Sequence, residues 1–206
     1  MPALVRALAA GSVAAVLAVA LAACVPEPVP TDSPSAGAPV ADDPGTPTPI
    51  PTSTVTPTTT LPGSCDDIYS DAMRAALEEQ NPPLNDPGVT LLSTQQAPLL
   101  ELLEVVPTLR CSWGGPSERG LATTVSIVDS AQATIVRDTL TTNGFGCEDR
   151  GDATICRLEQ RGVSLDDVPF ERGEVHALRG EIWISTSWIN FDPDGYTEDI
   201  LSTVGE

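Results

Sequence analysis

The stretch Leu121-Ala122-Thr123-Thr124-Val125-Ser126-Ile127-Val128-Asp129-Ser130, continued to Leu140, decides how the C-terminal part of this 206-residue chain folds. Leu121, Thr123, Val125 and Ile127 fall on one side of an extended segment, the period-two pattern of a strand with one apolar face. The period then changes. Asp129 or Ser130 can cap a helix, Ile135, Val136 and Leu140 form its buried stripe, and Asn143-Gly144 ends it.

Toward the C-terminus, 147–156 reads as a tight hairpin. With Gly151-Asp152 as a two-residue turn, 150 opposes 153 and 147 opposes 156. Counted outward from the turn, 147/156 is a non-hydrogen-bonded pair, whose Cα atoms approach to about 4.5 Å. That is within reach of a disulfide. A second hairpin turns at Arg179-Gly180, with 175–178 and 181–190 as its arms. It sets His176 opposite Trp183 and points Ile182, Ile184 and Trp188 one way. Trp183 then projects from the other face, either as an exposed recognition aromatic or beneath a second cover. A helix over Tyr196–Val204 closes the chain, burying Tyr196, Ile200 and Val204. The strand-then-helix pattern at 125–140 recurs at 188–201, so an internal duplication is open.

Toward the N-terminus, Thr108–Trp113 reads as a strand that stops at Gly114-Gly115-Pro116. Leu99, Leu100, Leu102 and Leu103 fit a short helix after Pro98. Asp66 or Asp67 can cap a helix running to about Gln80, with Ile68, Ala72, Met73, Ala76 and Leu77 on one side, and Asn81-Pro82-Pro83 stops it. The order helix, strands, helix, strands, helix predicts an α+β domain over 64–206. Its antiparallel sheet would carry helices packed mainly on one face.

Before this domain the composition changes. None of the eight aromatic residues precedes Tyr69. Residues 24–63 hold eleven of the 20 prolines among Thr, Ser, Ala and Asp. Such a stretch buries too little apolar surface to offset its ordering entropy, so it reads as a disordered tether. Extended, it would reach on the order of 120 Å. Its Thr/Pro runs suit either O-glycosylation or a plain spacer. Residues 1–23 carry Arg6, an Ala-rich apolar run and Leu21-Ala22-Ala23 before Cys24. This is the layout of a signal peptide whose cleavage would leave Cys24 first. Only a thiol at that position can accept a thioether-linked lipid, so Cys24 is the expected lipid attachment site. An ordinary signal peptide or an uncleaved helix are the rival readings.

Removing Cys24 leaves Cys65, Cys111, Cys147 and Cys156, an even number suited to an oxidising compartment. Hairpin geometry selects 147–156 and elimination leaves 65–111. Metal ligation is disfavoured because no Cys-x-x-Cys occurs, and no metal or cofactor is expected. The net charge of −19 argues against a nucleic-acid partner. All ten basic residues are arginines, so lysine Schiff-base chemistry is unavailable. His176 is the only histidine, and no nucleophile elbow accompanies it. Asp192-Pro193-Asp194-Gly195 starts like a calcium loop but lacks the later acidic ligands. Arg150-Gly151-Asp152 matches an adhesion tripeptide, although Gly-Asp is also good turn chemistry.

The lipobox, the Pro/Thr stalk and Cys111-Ser112-Trp113 in a two-disulfide α+β domain together resemble small lipoproteins of high-GC Gram-positive bacteria. The resemblance implies diacylglyceryl attachment at Cys24 and a place on the outer face of the cytoplasmic membrane, facing the cell wall. The expected function is a non-catalytic binding or accessory module for an envelope protein or wall component. Trp183 and His176 are its candidate ligand contacts. The rivals are a carboxylate-dependent envelope hydrolase and a small solute-binding component of a transporter.

Overall fold

Two glycines at positive φ set the hairpins on which the sheet is built. Gly151 has φ 66° and Gly180 φ 57°, each at the first central position of a two-residue turn, where II′ hairpin turns want glycine. For Gly151-Asp152 this is the expected turn. For the second hairpin it moves the turn to Gly180-Glu181, so Arg179 pairs with Ile182. His176 therefore opposes Ser185, and Leu178 opposes Trp183. The shift is two residues in register, which keeps His176 and Trp183 on one face.

The computed structural model describes residues 59–204. Its six strands are β1 (Thr108–Trp113), β2 (Gly120–Ile127), β3 (Gly146–Arg150), β4 (Ala153–Val163), β5 (Pro169–Arg179) and β6 (Ile182–Ile189). They form one antiparallel sheet in the order β1-β2-β6-β5-β4-β3. Four α-helices accompany it: α1 (Asp71–Gln80), α2 (Ala97–Leu103), α3 (Ser130–Thr142) and α4 (Tyr196–Val204). The fold is α+β, as the sequence indicates. The anchor and most of the tether lie outside the described residues.

The helices, expected mainly on one face, divide between both. On the first face Leu121, Val125, Ile184 and Trp188 pack with Leu77 of α1 and with Tyr196, Ile200 and Leu201 of α4. On the second, Trp183 and Leu178 pack with Leu99 and Leu102 of α2 and with Val136 and Leu140 of α3. The reason is alternation itself: Trp183 and Leu178 point away from the first core and need a cover of their own. Because α3 and α4 lie on opposite faces, the second strand–helix pair does not repeat the first.

Local chemistry explains the other departures. The expected helix from Asp66 is interrupted. A 3₁₀ turn, Cys65–Ile68, is followed by an extended Tyr69, and α1 starts afresh with Ser70 as N-cap, its side chain accepting from Met73 N. Tyr69 is extended because its ring sits between Trp113 and Tyr196, with centroids 6.0 and 5.7 Å away. In α3 the capping box of Asp129 and Gln132 is present, but Ala133, Val136 and Leu140 make the buried stripe while Ile135 points outward. In α4 Leu201 is buried where Val204 was expected to be, and Val204 is only partly covered.

Candidate functional site

Both disulfides form as the spacing indicates. Cys147 and Cys156 face each other across β3 and β4, with Cα atoms 4.0 Å apart. Cys65 on the 3₁₀ turn joins Cys111 in β1, with Cα atoms 5.7 Å apart. The pair of them marks an oxidising, extracytoplasmic compartment. Among the described residues no helix is long and apolar enough to cross a membrane.

His176 and Trp183 come together, but not at the surface. Both are completely buried, Trp183 in the core with α2 and α3 and His176 against Trp183 and Phe145, so neither meets a ligand arriving from solvent; that expectation is corrected. The cause is the second cover that the sequence left as an alternative for Trp183. The Trp183 indole Nε1–H donates to His176 Nδ1 at 3.3 Å. An acceptor at Nδ1 requires the proton on Nε2, which faces Glu174 Oε2 at 3.3 Å. Burial holds the imidazole pKa below its usual value, against the pull of Glu174, so the ring is neutral at pH 7. With both nitrogens committed, His176 has none left to take a proton from a nucleophile.

Glu174 is the residue that organises this face. Burial pushes its carboxyl upward. Hydrogen bonds from His176, Thr94 and the Gln95 N–H outweigh burial, and the pKa is lowered. Thr94 Oγ1 donates at 2.8 Å, Gln95 N at 3.0 Å and Gln96 Nε2 at 3.3 Å. Beside it Ser185 Oγ donates to Ser93 Oγ at 2.8 Å, and at the sheet edge Arg110 reaches the carbonyl of Leu91. These bonds pin residues 88–96, a strap with no regular secondary structure, across the second face. Sequence reading missed Glu174 and the strap. A signal was present: in β5 and β6 the positions of one face read Glu174, His176, Ser185 and Ser187, polar groups at period two on the face that also carries Leu178 and Trp183.

Next to the strap lies a cleft of about 520 Å³. Its walls are Val89, Leu91 and Leu92 of the strap, Pro116 of the β1–β2 connection and Ile189 at the end of β6. Arg119 is the only charged side chain on the lining. Its Nη1 donates to the Asn190 carbonyl at 2.7 Å, and its guanidinium carbon stands 4.6 Å from the Phe191 ring centroid. The cleft is at the Gly120/Ile189 end of the sheet. The described chain enters at the other end, where Thr59 N donates to Glu181 at 3.1 Å. Seven residues of β6 separate the two ends, about 23 Å.

The remaining motifs are taken up by local structure. Arg150 of the Arg-Gly-Asp turn is bound to Glu148 and Glu198. Asp192 pairs with Arg157, which also holds Glu159. Glu171 pairs with Arg161, so Glu159, Glu171 and Asp192 are each matched by an arginine. No protein-family model, no curated protein and no solved structure matches the chain.

Proposed function

We propose that this protein is a lipid-anchored extracytoplasmic lipoprotein whose domain is a non-catalytic binding or accessory module at the cell envelope. One observation carries the reading. Cys65, Cys111, Cys147 and Cys156 pair off among themselves, so neither domain staple needs Cys24, the thiol behind Leu21-Ala22-Ala23. Two or more acyl chains on that sulfur would make anchoring durable, at roughly 0.8 kcal/mol per buried methylene. The absence of catalysis is supported by the sole histidine having both ring nitrogens occupied in the core. The cleft beside Arg119, at the end away from the chain's entry, is the surface on which binding is proposed.

The test is metabolic labelling with an alkyne fatty acid followed by membrane fractionation. The wild-type chain is expected in the membrane fraction with label at the mature N-terminus, and Cys24→Ala is expected to lose the label. A chain that begins at Met1 and carries no label in either form overturns the reading.

A further inference from the structure

The strap is laid inside out. Ser93 and Thr94 are buried against the sheet, and each spends a hydrogen bond there. Leu92 beside them is 50% exposed. A strap that served only to cover the second face would do the opposite, because buried hydroxyls need partners and exposed leucine forfeits hydrophobic stabilisation. Here the pins at Arg110, Ser185 and Glu174 hold the polar residues down and leave Val89, Leu91 and Leu92 as a wall. Pro116 and Ile189 supply the facing side. A concave, mostly apolar site with a few fixed polar groups is the usual form of a small-ligand pocket.

Arg119 defines what else the ligand carries. Its Nη1 is held by the Asn190 carbonyl and its plane by Phe191, so the fork is positioned before any ligand arrives. The other N–H groups of the guanidinium have no partner among the described residues. Asp86, near the Gly115 side, has Oδ1 taken by the Gly88 N–H. A guanidinium with free donors at the end of an apolar trough matches a carboxylate on an aliphatic body.

We infer that the cleft binds a single acyl chain bearing a carboxylate, the chain lying along Leu91, Leu92 and Ile189 and the acid at Arg119. This deepens the binding-module reading above and rests on it for the setting, an envelope in which such acids are at hand. One cation and one trough suit one chain with one acid, rather than a two-chain phospholipid.

The experiment uses the full chain in its own membrane, exposed to a diazirine-bearing palmitate or to the alcohol of the same chain, with crosslinks mapped by peptide mass spectrometry. Palmitate crosslinks are expected within 88–92 and near Pro116 and Ile189, at least fivefold stronger than those of the alcohol. Arg119→Gln should reduce palmitate labelling to the level of the alcohol and leave alcohol labelling unchanged. Leu92→Glu, at a half-exposed position, should abolish both while the two disulfides stay formed. Crosslinks spread outside the cleft, equal labelling by acid and alcohol, or indifference to Arg119→Gln each overturn the assignment. Competition by phosphatidylglycerol vesicles as strong as by free palmitate overturns the single-chain choice. Repeating the mapping on Cys24→Ala separates the two readings: cleft labelling there reports the ligand whether or not the chain is acylated.

Discussion

Nδ1 of His176 accepts from the indole of Trp183 at 3.3 Å, and both rings are sealed from solvent. That one bond fixes the imidazole tautomer, directs Nε2–H toward Glu174, and makes the chain's only histidine a link within the sheet between Trp183 and the carboxylate that receives the strap.

Removing the acceptor that collects these donors should loosen the strap. Glu174→Gln keeps the volume but loses the charge and one acceptor oxygen, leaving donors from Thr94, Gln95, Gln96 and His176 to compete. A cost of about 1–3 kcal/mol is expected. Calorimetry should show a lower Tm, and hydrogen exchange should show faster exchange in 88–96 than in β6. Unchanged protection of the strap would contradict the pinning role.

Stability should have an acid and an alkaline limb. Folded His176 and Glu174 both hold pKa values below their unfolded ones, so the native state binds fewer protons than the unfolded chain. Stability from both is complete above the ordinary histidine pKa of about 6.5. It falls as pH drops below that value, and falls further through and below the ordinary carboxylate range near 4.3. In the other direction burial pushes Tyr69 up to about 12 and Tyr196 well above its ordinary value. Their contribution is intact below about pH 10 and is lost as pH rises through the raised values. Urea midpoints measured from pH 3 to 12 should trace this dome. A flat profile between pH 6.5 and 4 would contradict the buried network.

Gly173 should not tolerate a side chain. A Cβ there would lie 2.7 Å from Trp188 Cζ2 and 2.9 Å from the Leu158 carbonyl. The indole is buried and the carbonyl is backbone, so neither yields easily. Gly173→Ala is expected to cost about 1–3 kcal/mol and to alter near-UV tryptophan dichroism. Gly162→Ala meets only the partly exposed Phe170 ring, at 2.6 Å, which can swing away. Its denaturation midpoint should move less.

The two disulfides should differ in worth. Cys65 and Cys111 close a separation of 46 residues, Cys147 and Cys156 one of nine. On the loop-entropy model these amount to about 4 and about 2.7 kcal/mol. Replacing Cys65 and Cys111 together with alanine should therefore lower the unfolding free energy more than replacing Cys147 and Cys156. Denaturant titration of the two double variants checks the order.

Much of the fold could be read locally. The strands at 108–113 and 121–127, the Asp129 cap, the Gly151-Asp152 turn and both disulfide pairings depend on short spacings, and all are present. The second hairpin slipped by two residues because Gly180 can occupy either central position of a turn on paper. Only pairing with the rest of the sheet selects the first. The long β4–β5 pairing from Thr154↔Leu178 to Val163↔Pro169 was missed, since its outer half is polar and charged and shows no apolar alternation.

The sequence alone determined what short-range chemistry can specify: the alternation that makes strands, the caps and glycines that end elements, and the even count of thiols left to pair behind Cys24. Tertiary structure decided which polar residues go inside. Glu174 and Thr94 lie 80 residues apart in sequence and Ser185 and Ser93 lie 92 apart, and each would be misplaced in a core without its partner. A buried polar group is stable only once its partner has arrived, and that partner is supplied by topology.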